Sequence, residues 1–153
     1  SVRLNPEVLD AVFKADAIVL GPGSLYTSIL PNLLVPGLAG AVRRSRALKI
    51  YVCNIMTQPG ETDAYRVSDH CLALREQCGE DLIDYVIANT ESPSDALLAH
   101  YRSEGQDLVE VDKARTADVG PRLIRARVLD RSSGFIRHHP DRLARAVMRL
   151  IVL

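Results

Sequence analysis

Short apolar runs alternate with longer amphipathic ones along this chain. Ala17 to Leu20, Lys49 to Asn54 and Tyr85 to Asn89 are compact stretches dominated by β-branched, aromatic and aliphatic residues, the pattern of strands buried by covering elements. Between them run segments with helical spacing. Asn5 and Pro6 open one that reaches about Phe13, with Asn5 placed as the cap and Pro6 at the first helical position, where its missing N–H costs nothing. Ser24 to Leu30 begins another that Pro31 is expected to interrupt, and Leu38 to Ser45 follows Pro36-Gly37. Val67 to Gln77 places Val67, Cys71, Leu74 and Cys78 on one face, with Gly79 as the stop. Ser92-Pro93 starts a helix through about Tyr101, Leu108 to Val111 and Arg125 to Leu129 read as weaker peripheral strands, and Pro140 to Leu153 closes the chain as an amphipathic helix. The alternation predicts an α/β fold, Rossmann-like, with a mostly parallel sheet and helices on both faces. Residues 1–153 read as one domain, since the most polar stretch, Asp112 to Arg127, is too mixed in character for a linker.

Composition narrows the partners. A chain of 153 residues, 47% of them hydrophobic, buries on the order of two-thirds of its unfolded surface. Its 19 basic and 19 acidic residues cancel, so there is no global electrostatic case for nucleic acid or for a membrane surface, and anion binding has to be local. The most apolar long segment, Ile29 to Val42, is broken by Pro31, Asn32, Pro36, Gly37 and Gly40, which argues against insertion in a bilayer. No basic-then-apolar leader opens the sequence. Cys53, Cys71 and Cys78 form neither an even set nor a Cys-x-x-Cys pair, and Cys71 and Cys78 lie two helical turns apart. Buried free thiols in a reduced, cytoplasmic protein are expected.

Candidate chemistry gathers where parallel strands would end, the edge at which open α/β sheets bind ligands. Ala17 to Leu20 stops at Gly21-Pro22-Gly23-Ser24, followed by Tyr26 and Thr27. Glycines permit a close backbone turn, and a helix N-terminus beyond it offers N–H groups and positive partial charge to a phosphate. A tight strand-to-helix turn without a ligand is the competing reading. The second strand exits through Asn54 into a loop carrying Thr57, Gln58, Gly60, Glu61, Thr62 and Asp63. These groups could bind a sugar, or hold Mg²⁺ through a carboxylate; equally, they could close a hydrophilic Pro-Gly loop and cap the next helix. The third strand ends at Asn89 to Glu91. Asp69-His70 is expected on a solvated helix face. His138-His139-Pro140 lacks partners at metal-ligand spacing, and Arg43-Arg44-Ser45-Arg46 suits a helix C-terminus.

Two long motifs carry a family resemblance. Ala15 to Val35, containing Gly-Pro-Gly-Ser-Leu-Tyr-Thr-Ser, and Val52 to Asp63, containing Met-Thr-Gln-Pro-Gly-Glu-Thr, closely resemble the YvcK family of bacterial gluconeogenesis factors. These are relatives of the CofD 2-phospho-lactate transferases of coenzyme F420 synthesis. The resemblance extends over almost the whole chain and implies a nucleotide-sugar-binding regulatory protein, with UDP-N-acetylglucosamine as the associated ligand, supporting cell-envelope precursor supply and cell shape on gluconeogenic carbon sources. It implies that Gly21, Pro22, Gly23 and Ser24 face a phosphate and that Asn54 and the Thr57 to Thr62 loop line the same cleft. The chain resembles the carboxyl-terminal half of such proteins, without their Gly-Gly-Gly-Thr-Gly turn, and has His139 where the family often has Asp. A homo-oligomer is expected. No catalytic residue is assigned; the alternative is a CofD-like transferase using a nucleotide diphosphate donor and a divalent metal, with Mg²⁺ as the cofactor and Glu61 and Asp63 as its local ligands.

Overall fold

A computed structural model of the chain describes residues 4–152. Helix α1 (Pro6–Lys14) starts as its sequence dictates, with the Asn5 side chain accepting the Glu7 N–H at 2.9 Å. Strand β1 (Ala17–Leu20) leads into a π-helical turn over Leu25–Ile29 that runs directly into α2 (Leu30–Leu33), followed by α3 (Leu38–Arg44) and β2 (Leu48–Val52). Helix α4 (Val67–Cys78) precedes β3 (Tyr85–Asn89), and α5 (Asp95–Ser103) and α6 (Lys113–Val119) precede β4 (Arg122–Ala126). Helix α7 (Pro140–Ile151) ends the described chain; the expected continuation of this helix to Leu153 lies outside the described residues.

The four strands are all parallel and lie in the order β1-β2-β3-β4. Register aligns Leu20 with Tyr51, Tyr51 with Val86 and Val86 with Leu123. Because side chains alternate along a strand, this row shares one sheet face, and it packs with Val42, Val67, Cys71, Leu74 and Val119 in the main core. That core therefore lies between the sheet and α3, α4 and α6. Ile124 and Ala126 point the other way, toward the cleft that β4 forms with α7, so helices cover both faces.

Several expected boundaries move, each for a local reason. Pro31 does not interrupt the helix that precedes it: it sits in the first turn of α2, where an N–H is dispensable, and the wider π turn hands over to α2 through Ile29 N–H to Ser24 O and Leu30 N–H to Leu25 O. Leu108 to Val111 makes isolated bridges in place of a strand, pairing Met56 with Leu108 and Arg66 with Glu110. This segment straps the loop after β2. The helix expected from Ser92-Pro93 starts later because Ser94 supplies the cap to Leu97 N–H. Helix α6 and the whole of β4 fall in the polar stretch from Asp112 to Arg127, and β4 begins and ends before the expected Arg125 to Leu129. Past Ala126 the ladder yields to side chains: Asn89 Oδ1 accepts Val128 N–H and Glu91 Oε2 accepts Leu129 N–H.

Candidate functional site

The parallel strands deliver their carboxyl ends, and the polar residues that follow, to one edge of the sheet. At the end of β1, Gly21 has φ +93°, a conformation glycine adopts without strain. A Cβ there would lie 3.1 Å from the Val52 carbonyl oxygen, so the turn runs against the last residue of β2. Gly23 is equally close to the helix that follows: its Cβ would be 3.3 Å from Ser28 Cβ. Ser24 occupies the cap position, yet its side chain accepts no cap hydrogen bond. The first N–H groups of the Leu25 turn lack intrahelical partners by geometry, and the Ser24 hydroxyl does not take them.

The second loop is held by its own hydroxyls. Thr62 is fully buried and its Oγ1 accepts Gln58 N–H at 2.9 Å; Thr57 is buried and its Oγ1 accepts Asp107 N–H at 2.9 Å. Asp63 accepts Gly60 N–H at 2.7 Å. These three residues shape the loop, and the helix beyond it is capped by Asp69, which accepts Arg66 N–H. Gln58 Oε1 and Glu61 Oε2 are buried without a hydrogen-bond partner, and buried polar atoms ordinarily find one. Tyr26 and Tyr65 join the two motifs through a 2.7 Å hydrogen bond between their hydroxyls, which, with burial, pushes the Tyr26 hydroxyl up to about 12. Thr27 and Pro22 are exposed. Asn54 lines a cleft of about 470 Å³ with Asn89, Glu91, Arg102, Asp107 and Arg125, and Asp107 ties that cleft to the loop through its N–H to Thr57.

His70 corrects the sequence reading. It is fully buried, its ring edge-on to Tyr65 at 5.4 Å between centroids. Nδ1 lies 2.8 Å from the Arg66 carbonyl and Nε2 has no partner. Burial lowers its pKa, against a smaller opposite effect of the Arg66 carbonyl. The helix repeat turns Asp69 outward to Arg115 at 3.0 Å while its neighbour faces the core.

Other polar groups lie outside the two motifs: Glu91 stands at the third strand end that the sequence assigns to this edge, whereas nothing in the sequence singles out Asp130. Glu91 has a side chain only 4% exposed, with Arg127, Arg131 and Arg142 each at 3.4 Å. Its place at the third strand end was the available signal. Asp130, also buried, is held below the ordinary carboxylate range first by the Ser132 hydroxyl and N–H and then by Arg137. His138 lies against the Cys53 carbonyl at the exit of β2, and burial depresses its pKa; its Nε2 and His139 Nδ1 are buried without partners. The three cysteines are free and buried as expected. Burial pushes the Cys71 thiol up to about 12, with Asp112 adding, so it is not a nucleophile at neutral pH.

Among the described residues no three His, Cys, Asp or Glu side chains converge as metal ligands. Glu61 offers one unpartnered oxygen, whereas Asp63 is engaged by Gly60; these two residues alone do not fit a divalent-metal site. No single helix among the described residues is long and apolar enough to cross a membrane.

A glycine-rich turn and a polar loop at the carboxyl ends of parallel strands define an α/β protein of the open-sheet kind. The chain belongs to the CofD family, whose model, described as 2-phospho-L-lactate transferase CofD, matches residues 1–129. A relative from Thermotoga maritima is 49% identical over 150 residues, spanning 95% of this chain and 47% of its own length. The gluconeogenesis factor of Bacillus subtilis is 40% identical over 146 residues, spanning 95% of this chain and 46% of its own. A crystal structure of a Bacillus halodurans protein of the UPF0052 family superposes with a TM-score of 0.91 at 42% identity, covering 94% of this chain and 47% of that one. The chain thus spans about half the length of these relatives, and the resemblance to gluconeogenesis factors rests on nearly all of its own residues.

Proposed function

We propose that this chain is part of a nucleotide-sugar-binding regulatory protein, with a UDP-N-acetylglucosamine-like ligand, that supports cell-envelope precursor supply and cell shape during growth on gluconeogenic carbon sources. The observation that carries the reading is the Gly21–Ser24 turn, which leaves the first N–H groups of the following helix uncapped by Ser24. A diphosphate seated there gains hydrogen bonds and the positive end of the helix. Gly21, Pro22, Gly23 and Ser24 form the cradle, with Tyr26 and Thr27 on the first turn. Asn54, Gln58, Gly60 and Glu61 supply polar groups for sugar or base, and Thr57 and Thr62 hold their loop in shape. The protein acts in the cytoplasm as a homo-oligomer, and Mg²⁺ enters with the nucleotide rather than through a ligand set of this chain.

Calorimetric titration of UDP-N-acetylglucosamine into the natural full-length protein tests this, with GDP as the comparison and with and without Mg²⁺. Selective saturable binding of the UDP-sugar without its consumption supports the reading, and its loss in Gly23→Asp places the phosphate. Mg²⁺-dependent binding of GDP with none of the UDP-sugar favours a CofD-like 2-phospho-lactate transferase, the activity named by the family model.

A further inference from the structure

A second cleft, of about 380 Å³, lies between β4 and α7, on the opposite side of β3 from the ends of β1 and β2. Four arginines, Arg127, Arg142, Arg145 and Arg149, line it with apolar groups that include Ile124, Val128 and Leu150; Arg125 stands at the boundary it shares with the Asn54 cleft, and no carboxylate is among the lining residues. The apolar groups are buried or half-buried while the arginines are exposed, so the cleft has an apolar floor under a cationic rim.

Glu91 is the nearby counter-charge. It engages Arg127 and Arg142 at 3.4 Å from a buried position and is shared with Arg131 outside the cleft. One carboxylate against these guanidiniums leaves a local surplus of positive charge in a chain whose net charge is zero. Arg125, Arg145 and Arg149 make no ion pair or side-chain hydrogen bond among the described residues. Arg142, Arg145 and Arg149 follow a helical i, i+3, i+7 spacing, so they stand along one face of α7 over about 10 Å. That length exceeds a single phosphate and suits a chain of linked phosphates, which guanidinium forks grip bidentately. The cleft size is that of a small-molecule site, and the apolar floor adds a surface on which a flat organic group can rest.

We infer that the β4–α7 cleft binds a small polyphosphate, either inorganic or carried on a nucleoside, at a site separate from the nucleotide-sugar turn. Isothermal titration of the full-length protein with inorganic triphosphate, and in parallel with ATP, reads the site directly. Saturable binding that falls at least tenfold in Arg145→Gln/Arg149→Gln, and is retained in Gly23→Asp, is expected. Tighter binding of ATP assigns the floor to the nucleoside, and equal affinities assign the site to the inorganic chain. Phenylglyoxal labelling of the unmodified protein, read by mass spectrometry, should slow at Arg145 and Arg149 when triphosphate is present. Absence of binding at millimolar triphosphate, affinity unchanged in the double variant, loss of binding in Gly23→Asp, or labelling that triphosphate leaves untouched overturns the assignment. So does a single-stranded oligonucleotide that binds through these arginines while triphosphate does not. UDP-sugar affinity unchanged in the double variant separates this site from the proposed function.

Discussion

Glu91 is the most heavily engaged carboxylate in the structure, and its replacement separates two electrostatic effects. The side chain is 4% exposed, while the three arginines around it are 79%, 60% and 42% exposed. Each ion pair therefore joins a buried carboxylate to a solvated partner at 3.4 Å, and exposed pairs contribute only about 0.2–1 kcal/mol apiece. The larger element is the Leu129 N–H, which Glu91 Oε2 accepts at 3.2 Å inside the protein; a buried donor left without a partner costs about 1–3 kcal/mol. Glu91→Ala removes both and is expected to lower stability by about 2–4 kcal/mol, a fall in Tm of roughly 5–15 °C for a chain of this length. Glu91→Gln keeps an acceptor for Leu129 and removes the charge, so about 1–2 kcal/mol is expected. Urea unfolding at constant m-value measures both. Raising NaCl from 0.1 to 1 M should recover part of the loss in Glu91→Ala, because salt screens the arginines from one another. Equal losses in the two variants, or a loss under about 0.5 kcal/mol in Glu91→Ala, would refute the claim that the buried N–H outweighs the ion pairs.

Two glycines in left-handed conformations provide a matched pair: Gly21→Ala meets the Val52 carbonyl at 3.1 Å, whereas nothing lies within 4 Å of a Cβ at Gly60. Gly60→Ala should lose about 1 kcal/mol from backbone strain alone and Gly21→Ala about 2–3 kcal/mol, by chemical denaturation; equal losses would contradict the close approach of β1's exit to β2. His70 and His138 have pKa values depressed by burial, so the native state binds fewer protons than the unfolded one. Their contribution is complete above an unfolded pKa of about 6.5 and is lost as pH falls toward the lower folded values. Urea midpoints should therefore drop between pH 7.5 and 5, less steeply in His70→Gln, and an unchanged slope in that variant would exclude His70 as a source. The Tyr26–Tyr65 hydroxyl pair predicts a coupling of about 0.5–1.5 kcal/mol in a double-mutant cycle with phenylalanine; zero coupling would mean that the two motifs are not joined there.

The strands β1, β2 and β3 were readable because each is a short uninterrupted apolar run, and parallel pairing requires that character. The α4 stop was readable at Gly79, whose φ of +94° uses the freedom of glycine. Strand β4 was displaced and α6 hidden because both lie in a polar segment: Arg122 and Arg125 are exposed on β4, so period-two alternation competes there with helical spacing. The glycine turn and the polar loop could be placed at one sheet edge from sequence, since both follow strands. The inward turn of Thr57 could not, because its partner Asp107 is set by how the strap crosses the loop, and that of Thr62 could not because its bond to Gln58 depends on how the loop itself closes. The sequence places His70 on a solvated face and Glu91 at a strand end on the ligand edge, and in neither case does it show the burial, because burial of a polar side chain is a property of the packed molecule.

The strand order β1-β2-β3-β4 also bears on how the sheet comes into being. Every ladder joins a strand to the next one in the chain, so no pairing has to wait for a distant segment. Loop-closure cost rises slowly with separation, and each closure here spans one intervening strand-free segment. The sheet can therefore grow outward by successive addition, with β1 pairing to β2 before β3 and β4 have formed. A growing chain emerging from the ribosome presents these strands in their spatial order, and the Glu91 cluster, which links the end of β3 to residues after β4 and to α7, closes last. Among the described residues, the arginine-rich cleft is then completed after the glycine turn.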